Sequence, residues 1–409
     1  MSNEAKNSSV AWIGKKPLNW QSAKLKYLIK SASSGGTPDS SNDDFYSHTG
    51  VPWTTISDIT NSSQIKDTAK HITDKALKDK NLKIYPKGTI LLAMYASVGK
   101  VAELCTEASV NQAILAISVD TSKVTNDYIK FCFNAYEPYI TSESNGTTQF
   151  NLNASKVLNL SFPLPSLEEQ DKISKEISKK SSVIDQLISN QEKQIEKLKE
   201  YRQAIITKAV TKGLDPNAPM KDSGVEWIGE IPSIWITPKF KNLAVLSNGK
   251  EIEEDGGDIP VYGSGGIFKY TSHPLFDGIS LLTGRKGTID NPMLVSGAFW
   301  TVDTMFYTSA INLKNVLPEY LFYAFKGCCN FNFYKSGSVL PSMTQSQINN
   351  IIIPLPPLYE QKNIVDFLQA KMGQIDLLLS LFNKNTEKLK SYKQSLIYEY
   401  VTGKKRVSL

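Results

Sequence analysis

The chain repeats itself. FPLPSLEEQDKI at 162–173 returns as IPLPPLYEQKNI at 353–364, displaced by 191 residues. The same displacement carries Ile184-Asp185 to Ile375-Asp376, KLKEY at 197–201 to KLKSY at 388–392, and Val210-Thr211 to Val401-Thr402. A shorter echo precedes each copy: WIGKKPLNW at 12–20 and WIGEIPSIW at 227–235, displaced by 215. The first copy therefore carries 24 more residues between its echo and its motif. A duplication held in register over such a length calls for a fold with two equivalent halves, and 409 residues exceed what one core usually serves.

After each proline motif comes a long stretch without proline. In the first, Ile177, Ile184, Ile188, Ile195, Leu198, Ile205 and Ala209 follow an alternating three-and-four spacing, with Ser181, Gln191 and Arg202 in the remaining slots. In the second, Leu368, Met372, Ile375, Leu379, Phe382, Leu389, Leu396 and Tyr400 do the same, interrupted by Thr386 and Lys393. This is a coiled-coil seam. Each helix is expected to start after the prolines, with Glu168-Glu169 or Glu360 favouring its first turn, and to stop near Lys212-Gly213 or Gly403. Some 44 residues make a rod of roughly 65 Å, and two similar rods most simply pair with each other.

Between echoes and motifs lie two blocks, 20–163 and 235–354, rich in Gly, Ser, Thr and aromatics. Strand-like runs at 89–94, 113–119, 279–283 and 300–307, with helical patches at 126–136 and 318–325, predict an α+β domain in each. Residues 87–101 align with 277–291, pairing Gly88 with Gly278 at 190, and 144–152 align with 335–343 at 191. The surplus of the first block is thus expected as an extra loop or hairpin between about 36 and 85.

Several loops suit a nucleic-acid duplex. GRKG at 284–287 sets cations between glycines, so backbone and charge can both approach a phosphate or a guanine edge. NGTTQ at 145–149, SGS at 336–338, PVYGSGG at 260–266 and SSGGTP at 33–38 offer small polar groups on turns. Each alone also fits a plain turn. The formal charge of +6 leans the same way without deciding it.

Chemistry beyond binding has little support. Cys105, Cys132, Cys328 and Cys329 show no metal spacing, and buried free thiols are the expectation. No phosphate-binding loop, zinc motif or nucleophile elbow occurs, and His48, His71 and His273 stand in unrelated contexts. With neither a secretory signal nor an apolar run long enough for a membrane, a cytoplasmic protein is expected.

Two variable blocks, each followed by a PLP-x-L-x-EQ-x-x-I motif and a long helix, closely resemble the specificity (S) subunit of type I restriction–modification systems. GGTPDSSNDDFY at 35–46, VPWTTISDI at 51–59, NQAILAI at 111–117, IPVYGSGGI at 259–267 and GRKGTI at 284–289 share the likeness. Tyr359, where the first copy has Glu168, is a departure. The resemblance implies an α+β chain: two α/β-mixed target-recognition domains joined by two long antiparallel coiled-coil helices in a pseudo-twofold repeat. The division would be 1–165, 166–212, 213–356 and 357–409.

It also implies that each domain reads one half of a split, asymmetric site on double-stranded DNA. The helices would set the gap and dock two methyltransferase (M) subunits, joined for restriction by motor–nuclease (R) subunits. S-adenosylmethionine, ATP and Mg are expected on those partners, with no catalytic or metal-binding residue in this chain. Residue type and loop position nominate Thr37, Tyr95, Lys100, Asn145, Thr147, Thr148 and Gln149 as DNA contacts in the first domain. In the second they nominate Tyr262, Lys269, Arg285, Lys286, Ser336 and Ser338. The rivals are a coiled-coil adaptor whose domains bind protein, and an enzyme with an unfamiliar site.

Overall fold

The proline motifs end and the helices begin where the backbone chemistry requires. In the computed structural model, which describes residues 5–95, 97–142, 152–252, 256–329, 331 and 341–407, a central helix spans Leu167–Lys212 and a C-terminal helix Leu358–Val401. Ser166 starts the first by accepting from the Glu169 amide at 3.3 Å; Pro357 holds that place in the second. Gly213 and Gly403 follow the two ends at φ +70° and +74°, the left-handed stop that glycine adopts without strain.

The chain forms two compact units: residues 1–191 with 385–409, and residues 192–384. In the first, the early turns of the central helix meet the last turns of the C-terminal helix. Lys180 Nζ lies 2.8 Å from the Tyr400 hydroxyl, Lys393 Nζ 2.7 Å from Asp185, and Thr386 Oγ1 3.0 Å from Gln191 Oε1. Numbers rising on one helix against numbers falling on the other make the pairing antiparallel. In the second unit the other halves pair likewise, with Arg202 Nη1 3.0 Å from Asp376 Oδ1. Gln191, Arg202, Thr386 and Lys393 are therefore paired across the seam, the buried Ser181 hydroxyl is not, and Ile177, Ile184, Ile195, Leu368, Met372, Ile375 and Leu396 are buried among them.

Among the described residues, each unit carries two sheets of four or five strands, beside shorter two-stranded ribbons. In the first, Ile29–Ser34, Ile114–Val119, Ile90–Ala93, Val101–Leu104 and Gln64–Ile65 form one sheet in that order, and Ser109–Val110, Val51–Thr54, His71–Ile72 and Tyr46–Ser47 the other. In the second, Ala244–Asn248, Met305–Ile311, Ser280–Gly284 and Met293–Val295 form one; Gly266–Thr271, Ile259–Gly263, Ala298–Thr301 and Phe276–Asp277 form the other. The run 300–307, expected as one strand, is divided. Its two ends belong to different sheets, because the chain turns at 302–304 and the Met305 amide closes that turn onto Val302 O at 3.0 Å.

Strand registers also refine the repeat. Thr54 faces Val110 as Tyr262 faces Thr301, a displacement of 208 on one strand and 191 on the other. The Gly36 amide reaches Val110 O as the Lys250 amide reaches Thr301 O, a displacement of 214. The surplus of the first unit is thus split: a few residues precede Trp53, and the larger part follows it, containing the short helices Ile56–Asn61 and Asp74–Asp79.

The Glu-Gln pair of the repeated motif fastens each globular part to its helix. Glu169 Oε2 accepts the Trp20 indole N–H at 3.0 Å, and Glu360 Oε2 accepts that of Trp235 at 2.9 Å. Gln170, fully buried, accepts the Thr125 amide and donates to Lys123 O and Pro165 O. Gln361 repeats this with the Leu317 amide, Asn315 O and Pro356 O. The Tyr128 and Tyr320 hydroxyls donate to Pro163 O and Pro354 O. Buried polar groups satisfied so fully fix one geometry. Among the described residues no helix is long and apolar enough to cross a membrane.

Candidate nucleic-acid interface

In the second unit, Arg285 and Lys286 leave the strand Ser280–Gly284 on a loop whose backbone is held from both sides. The Arg285 amide donates to Thr304 O at 2.8 Å, the Met343 amide to Arg285 O at 3.0 Å, and the Gly287 amide to Pro341 O at 2.9 Å. A Cβ at Gly284 would stand 2.5 Å from Thr288 O, so only glycine permits this tight path. Both cationic side chains are exposed, and among the described residues neither has an anionic partner.

The hairpin formed by Ile259–Gly263 and Gly266–Thr271 carries Tyr262 and Lys269. Tyr262 meets the Phe299 ring edge-on at 6.2 Å, and its carbonyl accepts the Val302 amide. This hairpin lies beside the Arg285 loop: a Cβ at Gly287 would be 3.7 Å from Ser264 Oγ. The fold thus gathers Tyr262 and Lys269 on a hairpin beside the loop that carries Arg285 and Lys286.

In the first unit, Tyr95 is exposed on the turn after Ile90–Ala93. Lys100 closes that turn with its Nζ 2.9 Å from Glu137 Oε1, so its charge is partly engaged. Thr37 donates to Gln112 Oε1. Gln112 is exposed on the turn 111–113, whose Ala113 carbonyl accepts the Met94 amide at 2.8 Å, so Thr37 and Tyr95 flank one turn. Two residues from Thr37, the Asp39 carboxyl is held below the usual carboxylate range by the Ser41 hydroxyl and amide. Asn145, Thr147, Thr148, Gln149, Ser336 and Ser338 lie outside the described residues.

The loops correspond across the repeat with a correction of one residue. Met94 joins Ala113 O and the Leu152 amide as Arg285 joins Thr304 O and the Met343 amide, each displaced by 191. Arg285 therefore answers to Met94, and Lys286 to Tyr95, where the glycine alignment at 190 had paired Tyr95 with Arg285. Gln112 escaped the sequence reading. It stands just before the strand-like run 113–119, and its place beside Thr37 arises only from pairing at long range.

A surface of this kind offers cations for phosphates and amides, hydroxyls and aromatics for base edges. The family described as type I restriction modification DNA specificity domain matches residues 17–197 and 235–390. The MjaIX type I restriction enzyme specificity subunit of Methanocaldococcus jannaschii is 34% identical over 188 residues, 45% of this chain and 42% of that protein. The MjaVIII specificity subunit of the same organism is 28% identical over 327 residues, 70% of this chain and 72% of that one. A solved chain from work on complex assembly and conformational transition of the type I R-M system shares the fold. The TM-score is 0.68 at 15% identity, covering 94% of this chain and 98% of that one.

Proposed function

The chain belongs to the type I restriction–modification DNA specificity family, and from that premise we propose that each of its two globular parts reads one half of a bipartite, asymmetric DNA site. The observation that carries this reading is one framework holding unlike loops. Trp20–Glu169 and Gln170 recur as Trp235–Glu360 and Gln361, whereas Met94-Tyr95 gives way to Arg285-Lys286. Equivalent frames with different surface chemistry suit two half-sites of different sequence.

The paired helices set the unspecified gap in this reading and dock two methyltransferase subunits. Val183 and Leu187 on the central helix, and Leu377, Leu378 and Leu381 on the C-terminal helix, support the docking: all are exposed apolar side chains on helices otherwise rich in charge. S-adenosylmethionine belongs to those partners, ATP and Mg to the motor–nuclease subunits. This chain supplies recognition and no chemistry of its own.

The test is to co-express the chain with the methyltransferase subunit of its own system and map adenine methylation across a host genome. One split motif with a fixed gap is expected. A stable complex that leaves no new methylation and binds DNA without the steep salt dependence of phosphate contacts would instead favour a protein-binding adaptor.

A further inference from the structure

The hairpin 259–271 contains an irregularity in its strand pairing. Val261 pairs with Lys269 and Tyr262 with Ile267, so Phe268 is an extra residue without a partner, a β-bulge. In a regular strand Ile267 and Phe268 would face opposite sides. Here both are exposed, Ile267 by 49% and Phe268 by 59%, with Tyr270 close behind at 48%. A bulge gives up ladder pairing, and here it leaves two successive apolar side chains exposed on an edge strand. The base beneath is firm: Tyr262, Phe276, Phe299 and Tyr307 pack ring against ring. Cations surround the tip, with Lys269 on the same strand and Arg285 and Lys286 on the adjoining loop.

We propose that Phe268 and Ile267 are specificity-determining residues that enter the major groove of the second half-site and contact the C5-methyl group of a thymine. The inference rests on the reading of this unit as a DNA half-site reader. Three features select this occupant. A two-stranded ribbon fits the major groove, and the edge position of Gly266–Thr271 in its sheet leaves one side of the ribbon uncovered. Cations beside the ribbon match flanking phosphates. The thymine methyl is the apolar group that the major groove displays. Polar loops read hydrogen-bonding edges; an aromatic bulge reads a methyl.

The experiment uses the full chain assembled with its methyltransferase subunit and duplexes carrying the mapped site. Each thymine of the second half-site is replaced in turn by deoxyuridine, which removes only the methyl group. Wild-type complex is expected to lose about fourfold in affinity at one such position, the worth of one buried methyl. Phe268→Ala is expected to weaken binding to the thymine duplex about tenfold and to be indifferent to deoxyuridine at that position. Substitutions in the first half-site should leave the difference between the two proteins unchanged. If no deoxyuridine matters to wild type, or if Phe268→Ala stays as sensitive as wild type, the methyl contact is overturned even though specific binding persists. If Phe268→Ala weakens binding alike on both duplexes, Phe268 acts as a wedge or a strut, and the proposal fails. Absence of specific, salt-sensitive binding by wild type would instead overturn the underlying reading.

Discussion

Arg202 and Asp376 form an ion pair across the two long helices, and they are the repeat images of Lys393 and Asp185, which form another. Arg202 Nη1 is 3.0 Å from Asp376 and Lys393 Nζ 2.7 Å from Asp185, each partner displaced by 191. The residues that break the apolar seam are thus the ones that cross-link it. A polar residue at a seam position fixes register at some cost in stability.

Because these side chains are about a third to a half exposed, each pair contributes modestly. Arg202→Ala should lower stability by about 0.5–1 kcal/mol, with less effect in high salt. Arg202→Asp combined with Asp376→Arg should recover most of the larger loss caused by either charge reversal alone. Thermal unfolding of the four proteins at two salt concentrations measures the coupling.

Gln361→Leu should cost far more. Its amide serves the Leu317 N–H and the carbonyls of Asn315 and Pro356 inside a fully buried site. Leucine leaves those groups without partners, a loss of about 3 kcal/mol. Gln361→Glu keeps the acceptor but buries a charge and removes both donations, so it should be no milder. Denaturant titration checks the order.

Gly403→Ala should destabilise more than Gly213→Ala. Both positions have positive φ, which penalises alanine. A Cβ at Gly403, however, would press on Pro17 and stand 3.0 Å from the Trp20 ring, while at Gly213 the nearest atoms are at 3.2 Å. The difference should appear as a lower melting temperature for Gly403→Ala.

Thiol labelling in the native state should mark Cys105 and spare the other three. Burial pushes the Cys132 and Cys328 thiols well up, and Cys329 up to about 12. A raised pKa leaves almost no thiolate at pH 7–8, and the thiolate is the nucleophile. Cys105 is only half-buried. Mass spectrometry after iodoacetamide, with and without denaturant, tests this.

On DNA, Arg285→Ala should cost about 1–3 kcal/mol and relax the sequence requirement in one half-site only. Lys286→Ala, if it meets a phosphate, should weaken binding uniformly and lower the salt slope by about 1. Equal loss of discrimination in both half-sites after Arg285→Ala would remove it from base readout.

The duplication, the seam and the helix ends were all legible in residue order, because periodicity and the stop signals of proline and glycine act within a few residues. Ile177, Ile184, Met372 and Ile375 are buried where the spacing put them. What residue order left open was partnership. Arg202 and Lys393 looked like interruptions, since the carboxylates that answer them lie on the other helix. The EQ pair looked like a helix start, whereas Gln170 and Gln361 are the buried clasps of their domains. The run 300–307 looked like one strand, since Val302, Asp303 and Thr304 carry neither glycine nor proline to mark a turn.

Residue order was enough to establish that this chain has two equivalent halves, each with an α+β domain and a share of two long helices. Which loops adjoin came from long-range packing, which places the Tyr262 hairpin beside Arg285 and Thr37 beside Gln112 and leaves Phe268 exposed on a bulge. Short-range propensity fixes an element's kind. Hydrogen-bond satisfaction and burial among residues far apart in the chain fix its neighbours, and recognition is a property of neighbours.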